Sequence, residues 1–151
     1  MEVRLDDLSD GKVIALLEEH LRDMYATSPA ESVHALKIHE LKAPDITFFS
    51  ARENQQLAGC IAIKRLNQDS AEIKSMRTVS THRNKGVASK LLAHVLDFAK
   101  QNSYKTIGLE TGTQDYFLPA RNLYAKFGFT ETGPFGSYKL DPSSYFMQRV
   151  L

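Results

Sequence analysis

Arg83, Lys85 and Gly86 stand together in the run STHRNKGVASKLL (residues 80–92), where basic side chains surround one glycine and the chain then turns apolar. After Gly86, Val87, Ala88, Leu91, Leu92, Val95 and Ala99 recur at helical spacing, so the basic turn opens a helix. The first turn of a helix leaves backbone N–H groups unpaired and carries a partial positive charge. Such a turn suits an anion, phosphate above all, and a glycine lets backbone approach it closely. The sequence holds neither GxxxxGK(S/T) nor GxGxxG, which argues against a P-loop or a Rossmann dinucleotide site. Taken alone, one glycine in a basic turn is more often a plain helix start with solvated cations.

Other reactive side chains are sparse. His20 is in phase with Leu16, Leu17 and Met24, the place of a core or pocket-wall histidine. His34 and His39 are five apart, not the i, i+4 of a helical metal pair. With His82, His94 and the lone Cys60 they make no ligand set, so no metal is expected. Cys60 lies in an apolar run and reads as core.

The elements that must position these groups follow from periodicity and breakers. The charged start precedes a helix over about 9–27, on Val13, Leu16, Leu17, Leu21 and Met24. In SPAES, Ser28 reads as an N-cap, Pro29 as the first helical residue and Glu31 as the partner three residues on. That capping box predicts a second helix over about 29–43, stopped by Pro44. Strands are expected at 46–52, 57–66 and 71–79, joined by the short polar turns ENQQ and NQDS as an antiparallel meander. The helix after Gly86 should reach about Asn102, with a strand at 105–111 after it. A short helix then carries Ala120, Leu123, Tyr124 and Phe127, with Gly128 to end it. Two strands near 129–132 and 145–151 close the chain. The order is β-α-α-β-β-β-α-β-α-β-β, a mixed α/β fold with a ligand crevice expected at the carboxyl ends of its strands.

The bulk numbers bound the function. At 151 residues the chain reads as one domain, 1–151, with 19 basic and 18 acidic residues and a net charge of +1. That balance argues against nucleic acid or a membrane surface as partner. One cysteine allows no intrachain disulfide, MEVRLDD lacks a signal-peptide core, and no run reaches membrane-spanning length. A cytoplasmic protein is expected.

Two stretches carry a family resemblance. RNKGVA (83–88) resembles the Arg/Gln-x-x-Gly-x-Gly/Ala signature of GNAT-superfamily N-acetyltransferases, placed after a strand and opening a long helix. ARNLYAKFGF (120–129) resembles that family's Leu-Tyr-x-Lys-x-Gly-Phe segment, and the element order is similar to the GNAT fold over essentially the whole chain. EHL, SPAESVHAL, AGC, EIKSMRT, KGVA, LETG and PARNLY are similar to a bacterial YsnE-like branch of that family.

The resemblance implies a donor, acetyl-coenzyme A. Its diphosphate would rest on backbone N–H groups of Asn84, Lys85, Gly86, Val87, Ala88 and Ser89, supported by Arg83 and Lys85. Its pantetheine arm would follow the backbone of Met76, Arg77 and Thr78, entering where strands 71–79 and 105–111 splay apart. An N–H at Met76 or Arg77 would steady the carbonyl oxygen, a contact worth about 3–4 kcal/mol when preorganised. Tyr124 matches the family tyrosine at the coenzyme sulfur, and its ring also falls on the apolar stripe of its helix. An amine is mostly protonated at neutral pH, so a base is expected. Glu72, fourteen residues before Gly86, is the first candidate, and Glu110 the runner-up. Many family members have Asn about two turns before this tyrosine; here Phe117 stands there.

The acceptor side is the least defined. In this fold the first two helices and the final hairpin wall the acceptor pocket, which here supplies His20, Met24, Tyr25, Ser28, His34, Phe135 and Tyr138. The mix suits a small, partly apolar molecule and lacks an acidic cluster; Arg77 could meet a substrate carboxylate or serve the strand. The expected activity is direct acetyl transfer to a small acceptor, a primary amine, by a monomer or homodimer. A non-catalytic acyl-coenzyme A sensor or regulatory module is the alternative.

Overall fold

The computed structural model describes residues 1–151. Its strands are β1 (Glu2–Leu5), β2 (Ile46–Glu53), β3 (Gln56–Arg65), β4 (Ser70–Thr78), β5 (Thr106–Gly112), β6 (Thr130–Thr132) and β7 (Ser144–Val150). Its helices are α1 (Lys12–Thr27), α2 (Val87–Gln101) and α3 (Leu118–Lys126). The strands form one sheet in the order β1-β2-β3-β4-β5-β7-β6. Every pair is antiparallel except β4 with β5. The mixed sheet and its flanking helices are as expected, with one helix missing.

The helix expected over 29–43 does not form. Ser28 (φ −139°, ψ 151°) closes α1, and Pro29 (φ −56°, ψ 142°) is extended. Only 3-10 turns at Ala30–Ser32 and Ile38–Glu40 follow. Leu36 and Leu41, both buried against α1, are five residues apart, a spacing that a helix would splay onto different faces. Ser32 spends its hydroxyl on Asp141 Oδ2, 2.7 Å away. The capping contact lies further on, where Glu40 Oε1 accepts the Lys37 N–H at 2.8 Å. Burial of two leucines thus overrides a local helix-start signal. At the other end, α1 begins at Lys12 instead of Ser9, because Gly11 takes φ +74° and Asp10 accepts the Lys12 N–H.

Alternation along the strands splits the core in two. Phe49, Ile61, Ile63, Ala71, Ile73, Ile107 and Leu109 pack under α2 and α3. Phe48, Cys60 and Ala62 point the other way, toward α1, Leu36 and Leu41. Glu72 and Lys74, alternating with Ala71 and Ile73, therefore sit on the α1 side of β4.

Two irregularities open the middle of the sheet. Ser75 has φ +55°, and the β3–β4 register slips between Cys60 and Ala62, a β-bulge that re-aims the rest of β4. The parallel β4–β5 ladder runs only through Ser70–Thr106, Ala71–Ile107 and Glu72–Gly108. Beyond Glu72, that edge of β4 has no partner strand.

Candidate active site

The gap left by that broken ladder is the floor of a cleft of about 620 Å³, in the size range of small-molecule sites. One wall is the turn into α2. Asn84 (φ +61°) and Gly86 (φ +79°) both take left-handed conformations, and α2's first backbone bond runs from Lys90 N to Gly86 O. The six N–H groups from Asn84 to Ser89 find no acceptor in the protein. They form the concave run of donors that binds anions. Arg83, Asn84, Gly86, Val87, Ala88 and Ser89 line the cleft; Lys85 is exposed and does not.

The expected arm-binding residues Met76, Arg77 and Thr78 line the floor beside the open edge of β4. The far wall is α3 and the turn before it, with Tyr124 buried at its centre. The Tyr124 ring meets Phe129 edge-on at 5.8 Å. Burial lifts its phenol above the ordinary value, so it stays protonated at neutral pH and can donate. Phe117 closes this wall where the sequence lacks the family Asn: a Cβ at Gly112 would lie 2.1 Å from its ring, so only glycine admits it there.

The two carboxylate candidates part company. Glu110 lines the cleft. Burial pushes its carboxyl up to about 7, while the Ser144 hydroxyl, donating at 2.6 Å, and Lys74 pull it down. Glu72 lies off the cleft, 3% exposed, its Oε2 accepting from Tyr138 Oη at 2.5 Å and from Lys74 Nζ at 3.4 Å. The runner-up, not the first candidate, faces the space where a reaction could occur.

Of the expected acceptor residues, His20 and Met24 line the cleft, as does Glu110, whereas Tyr25, Ser28, His34, Phe135 and Tyr138 do not. Ser28 is spent on ending α1. His34, Phe135 and Tyr138 cluster instead with Phe146 over Glu72, with Tyr138 edge-on to His34 at 5.1 Å and to Phe135 at 5.4 Å. Burial drops His20 to about 4, with Arg77 adding to the effect, so its imidazole is neutral and suits a wall better than a base. Arg77 is committed within the fold: its Nη2 donates to Glu19 Oε1 at 2.8 Å and Asp23 Oδ2 at 2.5 Å. Cys60 is fully buried and its thiol is pushed up to about 12 by burial, as a core cysteine should be.

Sequence reasoning missed Lys74, His82, Tyr116, Pro119 and Leu123, all of which line the cleft. It also missed the acidic pair Glu19 and Asp23, although their i, i+4 spacing flanking His20 was a readable signal. Lys74 was legible as the next same-face residue after Glu72; Tyr116 and Pro119 carried no local signal.

The acetyltransferase (GNAT) family model matches residues 13–129. The chain is 46% identical to the uncharacterised N-acetyltransferase YsnE of Bacillus subtilis over the whole of both chains. It is 38% identical to an IAA acetyltransferase of Azospirillum brasilense, over 92% of this chain and 90% of that one. A crystal structure of an acyl-CoA N-acyltransferase from Klebsiella pneumoniae superposes with a TM-score of 0.79, at 26% identity, covering 99% of this chain and 97% of that one.

Proposed function

The chain belongs to the acetyltransferase (GNAT) family, and we propose that it moves an acetyl group from acetyl-coenzyme A to a small acceptor, a primary amine. Transfer is direct, within a ternary complex, and the continuous sheet serves it as one domain. The reading rests on one observation above all: a single cleft joins the turn into α2 with its free N–H groups, the open edge of β4, Tyr124 and Glu110.

These residues fit the donor. The N–H run suits a diphosphate, the unpaired β4 edge suits an extended amide-bearing arm, and the cleft lies between them. Bound there, acetyl-coenzyme A supplies an activated acyl group on a thiolate leaving group. The β4 edge near Met76 and Arg77 donates to the acyl oxygen and draws electron density from its carbon. Glu110, with a proton affinity poised near neutrality, takes the proton that the amine sheds as the N–C bond forms. Tyr124 gives a proton to sulfur as the C–S bond breaks. Burial of both groups keeps water from competing for the acyl carbon.

The test is release of free thiol from acetyl-coenzyme A across a panel of amines and amino acids, with coenzyme binding measured in parallel. Thiol release that depends on an added amine supports the reading. Tight coenzyme binding with no release on any amine overturns it in favour of an acyl-coenzyme A sensor.

A further inference from the structure

We propose that Glu72 and Lys74 act as a charge pair that sets the proton affinity of Glu110, which makes Glu72 a positioning residue and not the proton acceptor. The proposal rests on the reading of Glu110 as that acceptor.

The geometry is that of two carboxylates and one cation. Glu72 and Lys74 share the α1-side face of β4, and Glu110 stands on β5 across the gap, with Lys74 and Glu110 both lining the cleft. The Glu72 side chain is 4% exposed and that of Lys74 11%. Burying a carboxylate is costly unless it is both paired with a cation and hydrogen-bonded. Glu72 has both: the Lys74 ammonium at 3.4 Å and the Tyr138 hydroxyl at 2.5 Å. Lys74 is in turn anchored by Tyr138 Oη at 3.1 Å. Glu110 has only the Ser144 hydroxyl in hydrogen-bond contact.

The groups that act on Glu110 are Glu72 and Lys74 from β4, Tyr138 and Asp141 from the loop before β7, and Ser144 from β7, with His20 of α1 on the wall of the same cleft. Among these Lys74 favours the ionised form, while Glu72 and Asp141 oppose it. Because Lys74 is tethered to Glu72, its help to Glu110 is partial. The two carboxylates thus have different partners, and these divide their roles: Glu72 holds the cation while Glu110 faces the cleft and exchanges the proton.

The experiment follows the Glu110 carboxyl carbon by NMR titration of the ligand-free protein. Glu72→Gln keeps an acceptor for Tyr138 and Lys74 but removes a negative charge and frees Lys74. Both changes favour ionised Glu110, so its titration step should fall by about one pH unit. The enzyme should then turn over about fivefold faster than wild type at pH 6, the ratio of ionised fractions for that shift. Structural damage cannot produce a gain at acid pH. The double variant Glu72→Gln/Lys74→Gln leaves no lone charge, and its Glu110 step should stay at or above the wild-type value. A step unmoved in Glu72→Gln, or lowered in the double variant, overturns the charge pair. Unchanged turnover in Glu110→Gln would instead overturn the reading of Glu110 as acceptor and leave the titration result standing.

Discussion

Residues 83–89 and the α1-side face of β4 and β5 make opposite use of the chain. The loop offers a ligand six main-chain N–H groups beside the exposed, unpaired side chains of Arg83, Asn84 and Lys85. The face offers side chains already bound to one another, across 66 residues for Tyr138 and Glu72 and 34 for Ser144 and Glu110. The loop's geometry is local, imposed by two left-handed residues at a helix start. The face exists only once distant segments have packed. A donor shared by a whole family can be held by backbone that tolerates sequence change. Acceptor handling and proton transfer need particular side chains in particular environments.

The sharpest way to break this contrast is Glu110→Gln. If proton transfer rests on that side chain, turnover falls by about a hundredfold or more, with coenzyme binding unchanged. The wild-type profile of kcat/KM should rise through about pH 7, since Glu110 accepts a proton only once ionised and its carboxyl lies near that value. The rising limb should vanish in the variant. Turnover and limb both surviving would remove chemistry from the acceptor face.

Tyr124→Phe probes where the two regions meet, because the residue packs in the core and also lines the cleft. Turnover should fall roughly tenfold to a hundredfold as the leaving sulfur loses its proton donor. Melting temperature should change little, since the ring and its contact with Phe129 remain. Equal turnover at every pH would reduce Tyr124 to a packing residue.

The same contrast explains what could be read in advance. The basic glycine loop, the long helix after it and the strand before it were legible because each depends on neighbours in sequence. So were the splayed strands and Tyr124, once two motifs agreed on a family. The helix over 29–43 was misread because Leu36, Leu41 and Ser32 answer to α1 and Asp141, not to their neighbours. That Glu110 and not Glu72 lines the cleft was hidden for the same reason. Nothing near position 72 announces that Tyr138 will cover it, and nothing near 110 announces its burial.

Gly86→Val tests the loop itself. No atom lies within 4 Å of a Cβ built there, but φ is +79°, a conformation that costs a β-branched residue about 1–3 kcal/mol. Relief of that strain turns N–H groups away from the cleft. KM for the donor should rise about tenfold, and kcat should hold because Glu110 and Tyr124 are untouched. An unchanged donor KM would show that the turn's conformation does not matter to binding.

The smallest effects belong to the loop's own cations. Arg83 and Lys85 are exposed and make no ion pair within the protein, so solvent screens whatever they contribute to an anion. Arg83→Ala should raise donor KM only about two- to threefold, and the difference should shrink as salt is added. Lys85→Ala should do less, since its side chain lies off the cleft. Set beside Gly86→Val, the ordering is the decisive quantity. If removing either cation cost more than deforming the glycine, the anion would be held by charge instead of by backbone. The loop would then be built on the same side-chain logic as the face opposite, and the contrast between the two regions would be lost.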